Sequence, residues 1–549
     1  MSLRLIVIGG VAGGATAAAR ARRLNEEAEI MLIERGEYIS FANCGLPYYI
    51  GQIIKERDDL LVTTAEAFTA RYSIDIRIFS EVTEIDRTNK QLTIKNLKSG
   101  DTYKERYDKI ILSPGAEPLK PPLEGINLEN IYSLRSIPDS DLIKSHVDIK
   151  KPESAVIVGG GFIGLEMADN LVHRGIKVTI VEMLDQVMAP IDYEMASIVH
   201  VHLKEKGVDL CLSDVVQSFS KKEDKIQVTT GKGLEIECDM VMLSIGIRPE
   251  NILAKEAGLE IGKRGGIIVD SNMRTSDPDI YAVGDAVEIR DYITGLPTMT
   301  ALAGPANKQG RIAADNVMGR KSVFKGTIGT AVAKVFDLTV ASTGANEKIL
   351  KQNNSPYLVN YTHSGSHAGY YPDSQTIAIK LIFSPDDGKI LGAQIVGEKG
   401  VDKRIDVIAT AIHGQMTVYD LEELELAYAP PYSSAKDPVN IAGFAAANLL
   451  KGDVKNINWD EIKDIDPERE ILLDLRDKNE LDEIGFIEES LHIPLNELRG
   501  RLNELDKDKG YIPYCAVGLR AYFAHRILVQ NGFKSRNLSG GYKTYSVTL

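Results

Sequence analysis

A chain of 549 residues, 44% hydrophobic and 26% charged, has the length of roughly three or four globular domains and an ordinary globular composition. Its formal net charge of −14 argues against a general nucleic-acid partner while leaving room for a local basic pocket. Four scattered cysteines, Cys44, Cys211, Cys238 and Cys515, exclude a disulfide scaffold and fit a reducing cytoplasm. No window has the apolar length of a transmembrane helix, so no membrane partner is expected, and no metal ligand set is assigned.

The chain opens with an apolar run, Leu5-Ile6-Val7-Ile8, that enters Gly9-Gly10-Val11-Ala12-Gly13-Gly14 and an Ala/Arg-rich helix to about Leu24. A second strand, Ile30-Met31-Leu32-Ile33, ends in Glu34. Strand, glycine turn, helix and strand-end acid form a dinucleotide-binding unit: helix amides hold a pyrophosphate and the acid holds a ribose. Val11 stands where the pattern has its middle glycine. Gly9, Gly13, Gly14 and Glu34 are the candidate binding residues.

Next comes Ser40-Phe41-Ala42-Asn43-Cys44-Gly45-Leu46-Pro47-Tyr48, which carries the only cysteine of the first two hundred residues. Glycine and proline mark a helix start there, and N-terminal amides are expected to lower the pKa of the Cys44 thiol. The plain alternative is a buried core cysteine.

The nucleotide pattern then recurs. Ala155-Val156-Ile157-Val158 leads into Gly159-Gly160-Gly161-Phe162-Ile163-Gly164, a helix and a strand ending in Glu182. Gly159, Gly161 and Gly164 fill all three glycine positions. A carboxylate at 182 accepts from a ribose 2′-OH and repels a 2′-phosphate, which favours NADH over NADPH. Arg174 and Lys177 stand close in sequence and soften that preference.

Thr275 to Asp285 reads as a turn, a strand and a terminal Gly284-Asp285. Asp285 is placed to hydrogen-bond the ribityl chain of FAD. Ser113-Pro114-Gly115-Ala116 and Ser244-Ile245-Gly246 are the strand-end crossings between domains. With these motifs, residues 1–450 resemble a pyridine nucleotide–disulfide oxidoreductase, in which an NAD domain interrupts an FAD domain and a dimerisation domain follows.

Residues 326–450 change texture. Alternating or apolar runs at 330–336 and 378–383 read as antiparallel strands, and 403–416 reads as an amphipathic helix. Residues 451–459 read as a linker. The tail then forms a small α/β domain, with Tyr511-Ile512-Pro513-Tyr514 leading into Cys515-Ala516-Val517-Gly518-Leu519-Arg520. A cysteine at a strand end, before a glycine-permitted loop and a helix, collects backbone amides around its sulfur. Gly518 and Arg520 are the expected sulfur-anion residues. With Asp474-Leu475-Arg476 and Leu538-Ser539-Gly540-Gly541, the tail resembles a rhodanese domain.

The reading is thus an α/β chain: two Rossmann-like nucleotide-binding domains of the glutathione reductase type, an α+β dimerisation domain, and a C-terminal rhodanese-like α/β domain. Boundaries are placed at 1–115 with 245–325 (FAD), 116–244 (NAD(P)H), 326–450 (dimerisation), 451–459 (linker) and 460–549 (rhodanese-like). Only Cys44 lies near the flavin motifs, so an intramolecular disulfide there is not expected. The thiol pairs with an external sulfur or becomes a sulfenic acid.

Ser40 to Cys44, Tyr428-Ala429-Pro430-Pro431-Tyr432 and Lys403-Arg404-Ile405-Asp406 resemble the coenzyme A disulfide reductases. The fusion to a rhodanese-like tail resembles the coenzyme A disulfide/persulfide reductases. That resemblance implies FAD and NADH (or NADPH) as cofactors, with coenzyme A as a substrate or bound thiol. It implies a homodimer and coenzyme A contacts from Arg23, Ser40 and Asn43. It also implies Tyr370 and Tyr428, from the partner subunit, beside the Cys44 sulfur. Two alternatives remain open: an NADH oxidase or peroxidase cycling Cys44 through sulfenic acid, and a persulfide sensor or sulfur carrier. Cys211 and Cys238 are expected to be structural.

Overall fold

The computed structural model describes residues 2–549. Two compact units emerge, one running to Leu184 and resuming at Gly207–Gly329, the other made of Asp185–Lys206 and Thr330–Leu549.

The first unit holds two parallel five-stranded sheets built on one plan. In the first, Arg4–Ile8 lies between Glu29–Ile33 and Lys109–Leu112, with Asp75–Arg77 and Ile280–Ala282 at the edges. Leu5, Ile6 and Val7 are wholly buried, as expected for a strand covered on both faces. In the second, Ser154–Val158 lies between Lys177–Val181 and Met240–Leu243, flanked by Asp209–Cys211 and Ile131–Tyr132. A three-stranded antiparallel sheet accompanies each, over 80–106 and 216–238. The chain crosses between the sheets through paired strands, Ala116–Pro118 and Ile247–Pro249, next to Gly115 and Gly246, both at positive φ.

The second unit contains a five-stranded antiparallel sheet in the order 331–335, 338–344, 390–397, 376–383, 358–365. Helices Val401–His413 and Pro438–Leu450 pack against it. Helix Tyr193–Glu205 joins this unit too. It is fixed by a buried ion cage: the Lys380 ammonium, wholly buried, meets Asp192 at 2.8 Å and also Glu194 and Glu347. These three carboxylates lie close enough to ligate a metal, but Lys380 already supplies their cation. Burial opposes the Lys380 charge, and the surrounding acids still hold its pKa well above the ordinary value.

The C-terminal domain has a parallel sheet ordered 491–492, 470–474, 510–514, 534–535. Asn456–Ile457 pairs with Asn537–Leu538, so the stretch before this domain is tied into it. The domain also docks on the antiparallel sheet. The Tyr361 amide donates to the Ser539 hydroxyl at 3.3 Å, and the His363 Nε2 meets the Thr544 hydroxyl at 2.8 Å.

Candidate active site

The two glycine turns are shaped by close backbone approach. A Cβ on Gly9 would stand 2.0 Å from the Ser113 carbonyl oxygen, and one on Gly14 would stand 1.9 Å from the Gly9 oxygen. Gly159 and Gly164 repeat this against the oxygens of Ser244, at 2.4 Å, and Gly159, at 2.1 Å. Gly161 differs, since its missing side chain faces open space, where a pyrophosphate can approach the backbone. Each strand-end acid is held by its own loop. Glu34 accepts from the amides of Gly10 and Gly36, at 2.8 and 2.7 Å. Glu182 accepts from Gly160 and Leu184, at 2.7 and 2.8 Å. Arg174 and Lys177, expected to soften the NADH preference, are engaged by other partners. Arg174 is engaged by Asp148 at 2.6 Å and by the Ile50 carbonyl, and Lys177 by Asp209 at 3.1 Å.

Gly284 and Asp285 open a short 3-10 turn after Ile280–Ala282, and the Gly284 amide donates to the Gln309 Oε1 at 2.7 Å. Burial pushes the Asp285 carboxyl up, and Arg135 partly offsets this.

Cys44 sits in the 3-10 turn Asn43–Gly45, immediately before the short helix Leu46–Ile50. The residue is exposed, so it is not a core cysteine. Ser40 reaches this segment at a φ of +47°, its amide donating to the Gly10 carbonyl at 2.9 Å. Ser40, Asn43 and Cys44 therefore share one segment at the glycine turn, and Asn43 is exposed. Arg23 lies apart, exposed in the last helical turn of Gly13–Leu24, with its guanidinium 6.0 Å from the Tyr72 ring centre.

The expectation of a lowered thiol pKa is corrected here. Protein surrounding the sulfur raises the Cys44 pKa by desolvation, and the Glu166 and Asp285 charges raise it further. A backbone hydrogen bond pulls it down more weakly. The helix after it is one short turn and a half, too little to offset two acids. Glu166, on helix Phe162–His173, is itself pushed up to about 7 by burial. The Tyr48 phenol donates to its Oε1 at 3.4 Å. Sequence reasoning missed Glu166 and Tyr48. The available signal was an acid within an otherwise apolar stretch of helix, between the buried Leu165 and Met167.

In the second unit, the Tyr370 and Tyr428 hydroxyls are hydrogen-bonded at 2.6 Å, and both residues are exposed. The Tyr428 contact raises the Tyr370 pKa. Their loops are clamped by Arg404, a buried cation whose guanidinium donates to the Ser366 and Tyr432 carbonyls and pairs with Asp437 at 2.9 Å. Sequence reasoning quoted Arg404 without seeing this clamp.

In the C-terminal domain, Cys515 follows the strand Gly510–Tyr514 and is buried. The Gly518 amide, at φ +95°, donates to its Sγ at 3.2 Å. Arg520 is shared: it donates to both Glu480 oxygens, at 2.7 and 2.6 Å, and its charge also faces the Cys515 sulfur.

Residues 3–310 match the pyridine nucleotide-disulphide oxidoreductase family, residues 330–438 its dimerisation domain, and residues 458–548 a rhodanese-like domain. The chain belongs to the pyridine nucleotide–disulfide oxidoreductases. This oxidoreductase is 34% identical over 447 residues to coenzyme A disulfide reductase of Staphylococcus haemolyticus, covering 81% of this chain and 100% of that one. Among solved structures, reduced Bacillus anthracis CoADR-RHD superposes with a TM-score of 0.98 at 53% identity, over 100% of this chain and 98% of that one. An NAD-dependent persulfide reductase from A. fulgidus superposes with a TM-score of 0.93 at 41% identity, over 99% and 100%.

The FAD and NAD(P)H that oxidoreductases of this family carry fit the residues present. Gly9, Gly13 and Gly14 stand at the first glycine turn, and Glu34, Gly115, Gly284 and Asp285 follow neighbouring strands of the same sheet. Gly159, Gly161 and Gly164 stand at the second turn, Glu182 follows the neighbouring strand, and the buried Ser244 hydroxyl beside them has no hydrogen-bond partner among the described residues.

Proposed function

We propose that this chain is an FAD-dependent NAD(P)H oxidoreductase that reduces coenzyme A disulfide or coenzyme A persulfide at Cys44, with Cys515 handling persulfide sulfur. One observation carries the reading. Cys44 is an exposed thiol on the segment that leaves the first nucleotide turn, in a sequence whose other cysteines lie at 211, 238 and 515. A lone thiol at that place needs its second sulfur from a substrate.

The Cys44 thiolate attacks one sulfur of coenzyme A disulfide, forms the Cys44–coenzyme A mixed disulfide and expels coenzyme A thiolate. With coenzyme A persulfide the same attack on the inner sulfur expels hydrosulfide. Gly9, Gly13, Gly14, Glu34 and Asp285 would hold FAD, which would supply the two electrons, drawn from NADH, that cleave the mixed disulfide. Cleavage restores the Cys44 thiolate and releases coenzyme A thiol, so one NADH and one proton are consumed per S–S bond. Ser40 and Asn43 orient the coenzyme A thiol end, and Arg23 meets its phosphates. The Glu166 carboxylate, within reach of the Tyr48 hydroxyl, disfavours negative charge on the Cys44 sulfur. The Tyr370–Tyr428 pair acts from the partner subunit of a homodimer and donates a hydrogen bond to the departing sulfur. At Cys515 the loop amides and Arg520 hold a persulfide anion that exchanges with coenzyme A thiol.

Among the described residues no helix is long and apolar enough to cross a membrane, and the thiol chemistry suits the reducing cytoplasm. The test is steady-state NADH oxidation on one preparation with coenzyme A disulfide, coenzyme A persulfide, inorganic polysulfide, hydrogen peroxide and oxygen. The proposal expects a coenzyme A substrate to give the highest kcat/KM. A peroxide or oxygen rate exceeding both would replace it with a sulfenic acid cycle.

A further inference from the structure

A cavity of 430 Å³ opens in the C-terminal domain away from the Cys515 loop. Gly510 and Tyr511, at the start of strand Gly510–Tyr514, line it, whereas Cys515 follows that strand's other end. Five strand residues span about 16 Å. Helix Leu519–Gln530 makes the same separation: it begins at the sulfur loop and reaches the cavity at His525 and Arg526, about two turns on.

The lining is strongly basic for a chain of net charge −14. Lys455, Arg526, Lys534 and Arg536 edge it against the single acid Glu470. Glu470 is taken by Arg536 at 2.7 Å, and Arg526 is answered by Asp453 at 3.3 Å. Lys455 and Lys534 pair with no carboxylate among the described residues. Two further lining groups are buried and unsatisfied. His525 is 2% exposed and its Nδ1 has no hydrogen-bond partner among the described residues; Ser535 is 9% exposed and its hydroxyl has none either. Buried polar atoms in native proteins nearly always have partners, including ligands and ions.

Two uncompensated lysines, with Arg526 and Arg536, edge a small-molecule-sized space, which suits an acceptor-rich ligand bearing negative charge. We infer that this cavity binds a tetrahedral oxyanion of the phosphate or sulfate class, free or as the terminal group of a small metabolite. Lys455 and Lys534 supply the charge and the hydrogen bonds that go with it. Burial, with Arg526 and Lys455 nearby, holds His525 down to about 4, so at neutral pH the ring adds no charge to the lining. The site is independent of both cysteines and of the reductase reading.

The test is calorimetric titration of the full-length, FAD-loaded protein with inorganic phosphate, sulfate and glycerol 2-phosphate. It compares wild type with the double variant Lys455→Ala/Lys534→Ala. Both lysines are exposed, so the variant is expected to melt with wild type and to keep NADH-dependent turnover. Phosphate affinity at one site should fall about tenfold or more, the loss expected for two charged contacts, while binding at the nucleotide units is common to both proteins. Either order of phosphate and glycerol 2-phosphate supports the site and assigns the free or the esterified anion. Crystals soaked in tungstate should show an anomalous peak in the cavity. Equal phosphate affinity in the two proteins, or tungstate density absent from the cavity, would overturn the inference.

Discussion

Gly541 offers a sharp perturbation of the sulfur loop that leaves every catalytic atom in place. It sits at φ +64°, and a Cβ there would stand 2.4 Å from the Cys515 carbonyl oxygen, 2.7 Å from the Gly518 nitrogen and 2.9 Å from the Val517 nitrogen. All three atoms are backbone, so no flexible side chain can give way. The loop cannot easily retreat, because the Tyr542 and Lys543 amides donate to the Cys515 and Ala516 carbonyls at 2.8 and 2.9 Å. The left-handed backbone costs alanine about 1 kcal/mol, and overpacking adds about 1–3 kcal/mol. Gly541→Ala should therefore cost about 2–4 kcal/mol, concentrated where Gly518 meets the Cys515 sulfur. Gly532→Ala is the control, since Gly532 also has a positive φ, +84°, but nothing lies within 4 Å of its added Cβ. The assay is sulfur transfer from thiosulfate to cyanide, alongside thermal unfolding and NADH-dependent reduction of coenzyme A disulfide. Gly541→Ala should lower sulfur transfer at least about tenfold and spare the reductase rate, while Gly532→Ala should keep both. Full sulfur transfer by Gly541→Ala at an unchanged Tm would refute the loop argument.

Three other perturbations follow from the same geometry. Glu182 should make kcat/KM for NADH exceed that for NADPH by roughly tenfold or more, and Glu182→Ala should narrow the ratio; equal efficiencies in the wild type would contradict the reading. The Glu166 carboxylate disfavours a Cys44 thiolate, and it gains that charge as pH rises through about 7. Glu166→Gln should therefore shift the rise of Cys44 alkylation by iodoacetamide to lower pH, and an unmoved profile would show that the two groups do not couple. Lys380→Met would leave Asp192, Glu194 and Glu347 buried without their cation. Breaking such a buried pair costs about 3–5 kcal/mol, so denaturant unfolding should show a clear loss, and a wild-type midpoint would mean that the cage is not needed.

Much of the fold was legible because it rests on short-range constraints. The parallel strands announce themselves as continuous apolar runs, Leu5–Ile8 and Ala155–Val158, since both faces are covered. In each turn one glycine contact is local, Gly14 against the Gly9 oxygen and Gly164 against the Gly159 oxygen, and the spacing encodes it. What was not legible depends on partners far apart in sequence. Helix Tyr193–Glu205 follows a nucleotide-binding pattern, yet it belongs to the second unit, where Lys380 gathers acids from positions 192, 194 and 347. The direction of the Cys44 shift was misread for the same reason. The helix start is visible nearby, whereas Glu166 and Asp285 lie more than a hundred residues away. Arg520 was read as free to hold sulfur, but Glu480, forty residues earlier, shares it. A strand as short as Asn456–Ile457 carries no periodicity, so its pairing with 537–538 could not be seen within a stretch read as a linker.

The most direct test of Cys44 as the reductase nucleophile compares wild type, Cys44→Ser and Cys515→Ser in NADH oxidation, each with FAD content measured. Cys44→Ser should bind FAD normally and lose reduction of coenzyme A disulfide and coenzyme A persulfide. Cys515→Ser should keep both rates and lose only turnover that requires sulfur to be loaded first on the C-terminal domain. A Cys44→Ser protein that binds FAD and still reduces coenzyme A persulfide at most of the wild-type rate would contradict the account.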